Sequence, residues 1–487
     1  MSASGPRSAL VPDRSYPAVM ARRAEIVERA VGLDYRRFEH GRLAFDYEGL
    51  MASVGYTVDG IRAIQRQAKV GDTPLLELTR LTRLARELAP AGKGARILLK
   101  DEAANPSGSF KARRATLAVH EAERLGYRGV IAATSGNYGA AVASQAAMRG
   151  LDCIVLQEVY DSAGRGQPEI LEKGRACAAY GAEVWQLTVG PELFYAMLLL
   201  LEETGYFSAS LYTPHAVAGI ETLGLEIGEQ VRERFGRDPD AVVITHAGGG
   251  NVTGTARGLH RAGCESTQVV GVSVDLRGLR MDSDTDFNRK SFTTGHTGFG
   301  VPFLQNPDRV DVPRNAARPL RYLDRYVTVT QGEVFYLTEA LAQLEGLERG
   351  PAGNTSLAAA FAIAQELDRD AVVVVQETEY TGAGKHPTAQ LTFARELGVE
   401  VRRGRPAENV PGRVIAIPRS PEEIAVSEWD LDEIRRSYLR RAVGHETLVS
   451  LGDEDLDFLA AEVKNPPDRV RRWLADAERE TAARVGA

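Results

Sequence analysis

Lys111 stands at the end of the run Asn105-Pro-Ser-Gly-Ser-Phe-Lys111 and opens a helix expected over Ala112–Leu125. A lysine at the start of a helix, behind a Ser/Gly-rich turn, sits near the positive end of the helix dipole. That dipole and burial both disfavour the ammonium form and pull the amine below its free value of about 10.4. Only the neutral amine attacks a carbonyl, so a lysine so placed suits an imine-forming site. A surface lysine beside a turn would look the same in isolation, and the case therefore rests on its companions.

Two further loops accompany it. Thr134-Ser-Gly-Asn-Tyr-Gly139 follows an apolar strand and opens a helix, the place where open α/β sheets bind ligands. Its free N–H groups, hydroxyls and amide suit a carboxylate. His246-Ala-Gly-Gly-Gly-Asn-Val-Thr-Gly254 repeats the order strand, glycine loop, helix. Consecutive glycines let the backbone approach an anion, so that N–H groups can cradle a phosphate. The loop is neither GxGxxG nor ended by GK[ST], which argues against nicotinamide cofactors and ATP. Each loop alone could be a capped turn. Together they describe a site for an aldehyde-bearing phosphate and an amino acid.

The elements that must position these loops are short and apolar. Gly129–Thr134, Asp152–Gln157, Glu183–Thr188, Ala241–Thr245, Val269–Val274, Tyr326–Val329 and Ala371–Gln376 read as strands, separated by helical stretches such as Ala140–Met148 and Ile170–Tyr180. Apolar runs alternating with helices indicate parallel strands buried on both faces, hence an α/β doubly wound fold. Ahead of this core, Met20–Val31 and Val58–Gln67 pattern as helices; behind it, Trp429–Val443 and Asp468–Arg484 do the same. These ends read as packing or partner-binding appendages without chemistry of their own.

Composition bounds the rest. The 487 residues allow two or three domains, and 44% hydrophobic, 26% charged residues are those of an ordinary globular chain. A net charge of −7 argues against nucleic acid or an anionic membrane as partner. The three cysteines, Cys153, Cys177 and Cys264, match no disulfide or zinc spacing and read as small buried hydrophobes, and no metal site is expected. Without an apolar leader or a membrane-length apolar run, the expected compartment is the cytoplasm.

The motifs NPSGSFK and TSGNYG and the Gly-rich loop resemble those of fold-type II pyridoxal-5′-phosphate (PLP) enzymes, the group of threonine synthase, O-acetylserine sulfhydrylase and tryptophan synthase β. The resemblance implies two doubly wound parallel or mixed sheets with helices on both faces, plus helical N- and C-terminal extensions. The implied division is an extension over 1–70, a large PLP-binding domain over 71–120 and 216–420, a smaller α/β domain over 121–215, and a helical extension over 421–487. It makes Lys111 the Schiff-base lysine and Asn137 the partner of the pyridine 3-oxygen. Thr134, Ser135, Gly136 and Tyr138 then line the substrate carboxylate, and Gly248, Gly249, Gly250, Asn251, Val252 and Thr253 form the phosphate cup. Glu379-Tyr-Thr-Gly-Ala-Gly-Lys385 resembles the TGxG segment of threonine synthases, which gives Thr381 the pyridine nitrogen. Where threonine synthases continue as SFKDR this chain reads Ser-Phe-Lys-Ala-Arg, with Ala112 in place of the Asp.

A closer likeness runs from about Ser15 to Arg440. DYRRFEHGRLAFDYEGLM, KDEAANPSGSFKARRA, NRKSFTTGHTGFG and VVVVQETEYTGAGKHPTAQLTF are similar to the β subunits of 2-amino-4-ketopentanoate thiolase. That likeness implies PLP- and coenzyme A-dependent cleavage of 2-amino-4-oxopentanoate to alanine and acetyl-CoA, in ornithine breakdown. It implies a small α subunit as partner, with β chains paired in a hetero-oligomer. Two readings stay open beside it: β- or γ-replacement on an activated amino acid, and a PLP-binding regulatory subunit without turnover. Ser291–Gly300 reads as a connecting loop that could also serve as a lid or a coenzyme A contact. Leu347–Ser356 is expected beside the cofactor ring. His296 is left without a catalytic role.

Overall fold

Segments such as Val242–Ile244 and Val372–Val375 are apolar at every position and lie wholly inside the protein, as strands covered on both faces must. In the computed structural model, which describes residues 13–134, 136–279, 284–293, 311–380, 387–444 and 446–485, they sit at the centre of the larger sheet. In chain order the strands are β1 (Leu75–Glu77), β2 (Arg96–Asp101), β3 (Gly129–Thr134), β4 (Asp152–Tyr160), β5 (Glu183–Thr188), β6 (Phe207–Ser208), β7 (Ala241–Thr245), β8 (Gln268–Val274), β9 (Arg325–Val329), β10 (Val372–Glu377), β11 (Glu400–Arg403), β12 (Val414–Ile417) and β13 (Ser427–Glu428).

Seven of them form a sheet in the order β1-β2-β10-β7-β8-β9-β13, and four form a second in the order β5-β4-β3-β6. The second is parallel throughout. The first is parallel from β2 to β9, with β1 and β13 added antiparallel at its two edges. Helices cover both faces of the larger sheet. Thr79–Leu88, Gln331–Glu345 and Asn354–Glu366 pack on one side, and Pro214–Phe235, Gly250–Arg261 and Leu431–Val443 on the other. The expected α/β class with parallel and mixed sheets is the observed one. β1, β2, β6 and the β11–β12 pair were not foreseen: they are short, or carry charge at their ends as β2 and β11 do.

The two ends of the chain are stitched to the body. The Asp455 carboxylate accepts the backbone N–H groups of Arg42, Leu43 and Ala44 at 3.0, 2.7 and 2.9 Å. Glu462, buried, accepts from Arg318, Arg321 and the Tyr438 hydroxyl. Gln65, near the end of the helix Val58–Gln67, donates to the carbonyls of Gly219 and Arg113. Among the described residues no helix is long and apolar enough to cross a membrane.

Candidate active site

The helix after the first loop starts at Lys111 itself, so the amine leaves from the first turn. The turn before it is left-handed at Ser107 and Gly108, with φ of 65° and 72°. A Cβ on Gly108 would lie 2.0 Å from the Tyr380 carbonyl oxygen, so only glycine allows this approach. Phe110 N donates to Thr378 O at 3.0 Å and Tyr380 N to Gly108 O at 2.8 Å. These two bonds fasten the lysine loop to the chain leaving β10, immediately before Thr381. Thr381 itself, like Ser135 and His296, lies outside the described residues.

Burial, and then the charges of Lys173 and Arg114, push the Lys111 amine down to about 7, against a smaller pull from Glu169. The expected direction therefore holds, with neighbouring cations as the largest influence after burial. Lys173 is ion-paired with Glu169, and its Nζ lies 2.8 Å from where a Cβ on Gly136 would stand. Nothing in the sequence pattern marks Lys173, because its helix lies far along the chain.

The second loop ends β3, and its helix begins at Asn137 rather than Ala140, which brings Asn137 and Tyr138 into the first turn. Thr134 Oγ1 accepts the Gly136 N–H at 2.9 Å and folds the loop back on itself. Asn137 and Tyr138 are buried, and neither Asn137 Oδ1 nor Tyr138 Oη has a protein partner. Burial also pushes the Tyr138 phenol up, so it is a neutral donor here.

The third loop leaves β7, and each glycine is required for its own reason. Gly249 is left-handed, φ 84°, and faces Pro319. A Cβ on Gly248 would stand 2.1 Å from Tyr212 Oη, and one on Gly250 2.0 Å from Arg114 Nη2. The helix begins at Gly250, so the first-turn N–H groups of Gly250, Asn251 and Val252 have no partner within the helix. Asn251 Nδ2 is buried without a partner, while its Oδ1 accepts from Gln376. Thr253 is spoken for: its N–H and hydroxyl both donate to Gly249 O, and the hydroxyl accepts the Arg318 N–H. Val252 turns its side chain into the apolar core. The cup is thus formed by Gly248–Val252, and Thr253 braces it.

Arg114 was missed in the sequence, although its spacing gave a signal. Three residues after Lys111 on one helix, it shares that lysine's face. The three cysteines are buried as expected, with thiols pushed up by burial to about 12 for Cys153 and Cys177 and about 11 for Cys264.

A neutral buried amine, a cradle that any Cβ would fill and unpartnered donors on Asn251 and Arg114 fit a phosphorylated aldehyde. Residues 67–379 match the family model of pyridoxal-phosphate dependent enzymes. A curated relative from an unknown prokaryotic organism, 2-amino-4-ketopentanoate thiolase beta subunit, is 64% identical over 95% of this chain and 98% of its own. A protein of the same name from Acetoanaerobium sticklandii is 61% identical over 95% of this chain and 99% of its own. The crystal structure of a threonine deaminase from T.th. matches at a TM-score of 0.50 and 27% identity, over 67% of this chain and 100% of that one.

Proposed function

The chain belongs to the pyridoxal-phosphate dependent enzymes and, within them, to the 2-amino-4-ketopentanoate thiolase beta subunits, and on that footing we propose that it cleaves 2-amino-4-oxopentanoate with coenzyme A, giving alanine and acetyl-CoA. The observation that carries the reading is identity of 64% along nearly the full length, joined to a lysine held near neutrality at the meeting of the three loops.

Lys111 would hold PLP through Nζ, Gly248–Val252 its phosphate and Asn137 its 3-oxygen, with Thr381 at the ring nitrogen. Thr134, Ser135, Gly136 and Tyr138 would take the substrate carboxylate. Bound there, PLP would supply the electron sink that allows the C3–C4 bond of the substrate to break. Lys111 Nζ, freed when the substrate amine takes its place, removes the proton from Cα, which its depressed basicity suits near neutral pH. The coenzyme A thiol adds to the C4 carbonyl, the C3–C4 bond breaks toward C3, and a proton returned to C3 completes alanine. The C4 fragment leaves as acetyl-CoA, so all atoms of substrate and thiol are accounted for.

None of the three cysteines can offer a thiolate near neutral pH, which leaves coenzyme A as the thiol. A small alpha subunit would complete the thiol site, with paired beta chains in a cytoplasmic hetero-oligomer. Residues 71–120 and 216–420 would form the cofactor lobe and 121–215 the smaller lobe facing it. The test is co-purification with the small subunit, followed by assays with three substrates in parallel. Alanine and acetyl-CoA should form in equal amounts from 2-amino-4-oxopentanoate. Turnover of O-acetylserine or O-phosphohomoserine in their place would assign a replacement reaction.

A further inference from the structure

The side chain of Arg114 is 3% exposed and ends against the glycine cup, with Nη2 2.0 Å from where a Gly250 Cβ would be. Its surroundings offer the charge almost nothing. Nε has no partner, the nearest carbonyl is Leu211 O at 3.5 Å, and among the described residues no carboxylate pairs with it. A buried guanidinium without an anion is costly enough that proteins seldom keep one. Burial lowers its pKa only to about 10, so at neutral pH the charge is present. Tyr212 Oη reaches the same cup from the side of Gly248, 2.1 Å from that residue's missing Cβ.

We propose that Arg114, with Tyr212 beside it, is a phosphate-binding residue that supplies the cup with a positive charge and donors aimed at the cofactor phosphate. This rests on the reading that Gly248–Val252 hold that phosphate. The three first-turn N–H groups are partial charges, whereas a guanidinium offers a full charge in a planar fork matched to phosphate oxygens. The two cationic side chains on this helix face, Lys111 and Arg114, then address opposite ends of one ligand: Lys111 its aldehyde, Arg114 its phosphate.

The test compares wild type, Arg114→Met, Arg114→Lys and Tyr212→Phe as apoproteins. Dissociation constants are measured for PLP and for pyridoxal, which lacks the phosphate, together with melting temperatures with and without inorganic phosphate. Arg114→Met should weaken PLP about tenfold to a hundredfold, the loss of one charge-assisted contact, and leave pyridoxal unchanged. Arg114→Lys and Tyr212→Phe should fall between it and wild type. The Arg114→Met apoprotein should melt no lower than wild type, since an unpaired buried charge has gone, and should lose the stabilisation by inorganic phosphate. A structural arginine behaves in the opposite way, so a lower apoprotein melting temperature with the phosphate response intact overturns the proposal. Equal losses of PLP and pyridoxal, or unchanged PLP affinity, overturn it too. Borohydride reduction of the wild-type holoprotein separates the two readings. A pyridoxyl group found away from Lys111 defeats the cofactor assignment, while one on Lys111 with unchanged PLP affinity in Arg114→Met defeats Arg114 alone.

Discussion

Arg113 and Arg114 are neighbours on one helix and both are buried, yet one is surrounded by carboxylates and the other by none. Arg113 donates to both oxygens of Glu102 at 2.7 and 2.9 Å, to both of Glu226 at 2.8 and 2.7 Å and to Thr222 at 3.0 Å. Lys100 closes the network on Glu226 at 2.8 Å. Burial works against the Arg113 charge, but Glu102 and Glu226 outweigh it and hold the guanidinium above its ordinary value. Arg114 lacks any such compensation, and burial lowers it. Burial alone therefore does not distinguish a structural charge from one that waits for a ligand. The face carrying Arg113 is finished within the protein; the face carrying Lys111 and Arg114 is finished only by what binds there.

The largest break in that comparison is made at Lys111. Lys111→Ala should lower thiolysis by the assembled enzyme at least about 10⁴-fold, the upper range for losing a positioned proton-transfer group. It should leave the apoprotein folded by circular dichroism, because the lysine satisfies nothing in its surroundings. Activity within tenfold of wild type would remove Lys111 from the chemistry. Next comes Arg113→Met, which strands Glu102 and Glu226 as buried carboxylates. It should cost about 3–5 kcal/mol, a large part of the roughly 5–15 kcal/mol that stabilises a typical fold. Urea unfolding measures this directly, and a loss below about 1 kcal/mol would show that the Arg113 side is no more committed to structure than the Arg114 side.

How much of this the sequence displayed depends on whether the signal was local. β3, β5 and β7 were legible to the residue because an apolar run with turn residues at both ends is complete in itself. The three loops were legible for the same reason: glycines, hydroxyls and a lysine within a few residues state their chemistry without a partner. Lys173 was not, since its approach to Gly136 is made across helices that only the fold brings together. Nor was the division between Arg113 and Arg114, two identical residues side by side. Glu102 and Glu226, which separate them, lie on either side of the smaller sheet's strands in sequence.

The cup offers a finer test, since its glycines are needed for different reasons. Gly250→Ala pushes a methyl into the Arg114 guanidinium and should weaken PLP by about 1.5–3 kcal/mol, the range for a hydrogen bond to a charged group. Gly249→Ala meets Pro319 and a left-handed backbone instead. It should cost stability, about 1–2 kcal/mol from conformation alone, more than it costs cofactor affinity. If equilibrium dialysis and thermal melts ranked the two variants alike, the cup would not be oriented as described.

The smallest effect is read in the pH dependence of apoprotein stability, and it reports on the unfinished face directly. Lys111 titrates at about 7 in the folded chain against an ordinary value of 10.5. Between these values the unfolded chain carries a proton that the folded chain lacks, so stability rises with pH across that window. The contribution is fully present above the unfolded value and is lost as pH falls toward the folded one. Its size should be roughly 2–4 kcal/mol, obtained as the difference between wild type and Lys111→Met, which subtracts every other titrating group. The onset of the rise is set by the cations beside Lys111, with Lys173 ahead of Arg114. Replacing either by Met should move the onset to higher pH, Lys173→Met further than Arg114→Met. Arg113→Lys, which keeps a positive charge among its carboxylates, should leave the onset in place. An onset that ignores Arg114 but follows Arg113 would reverse the roles assigned to the two arginines.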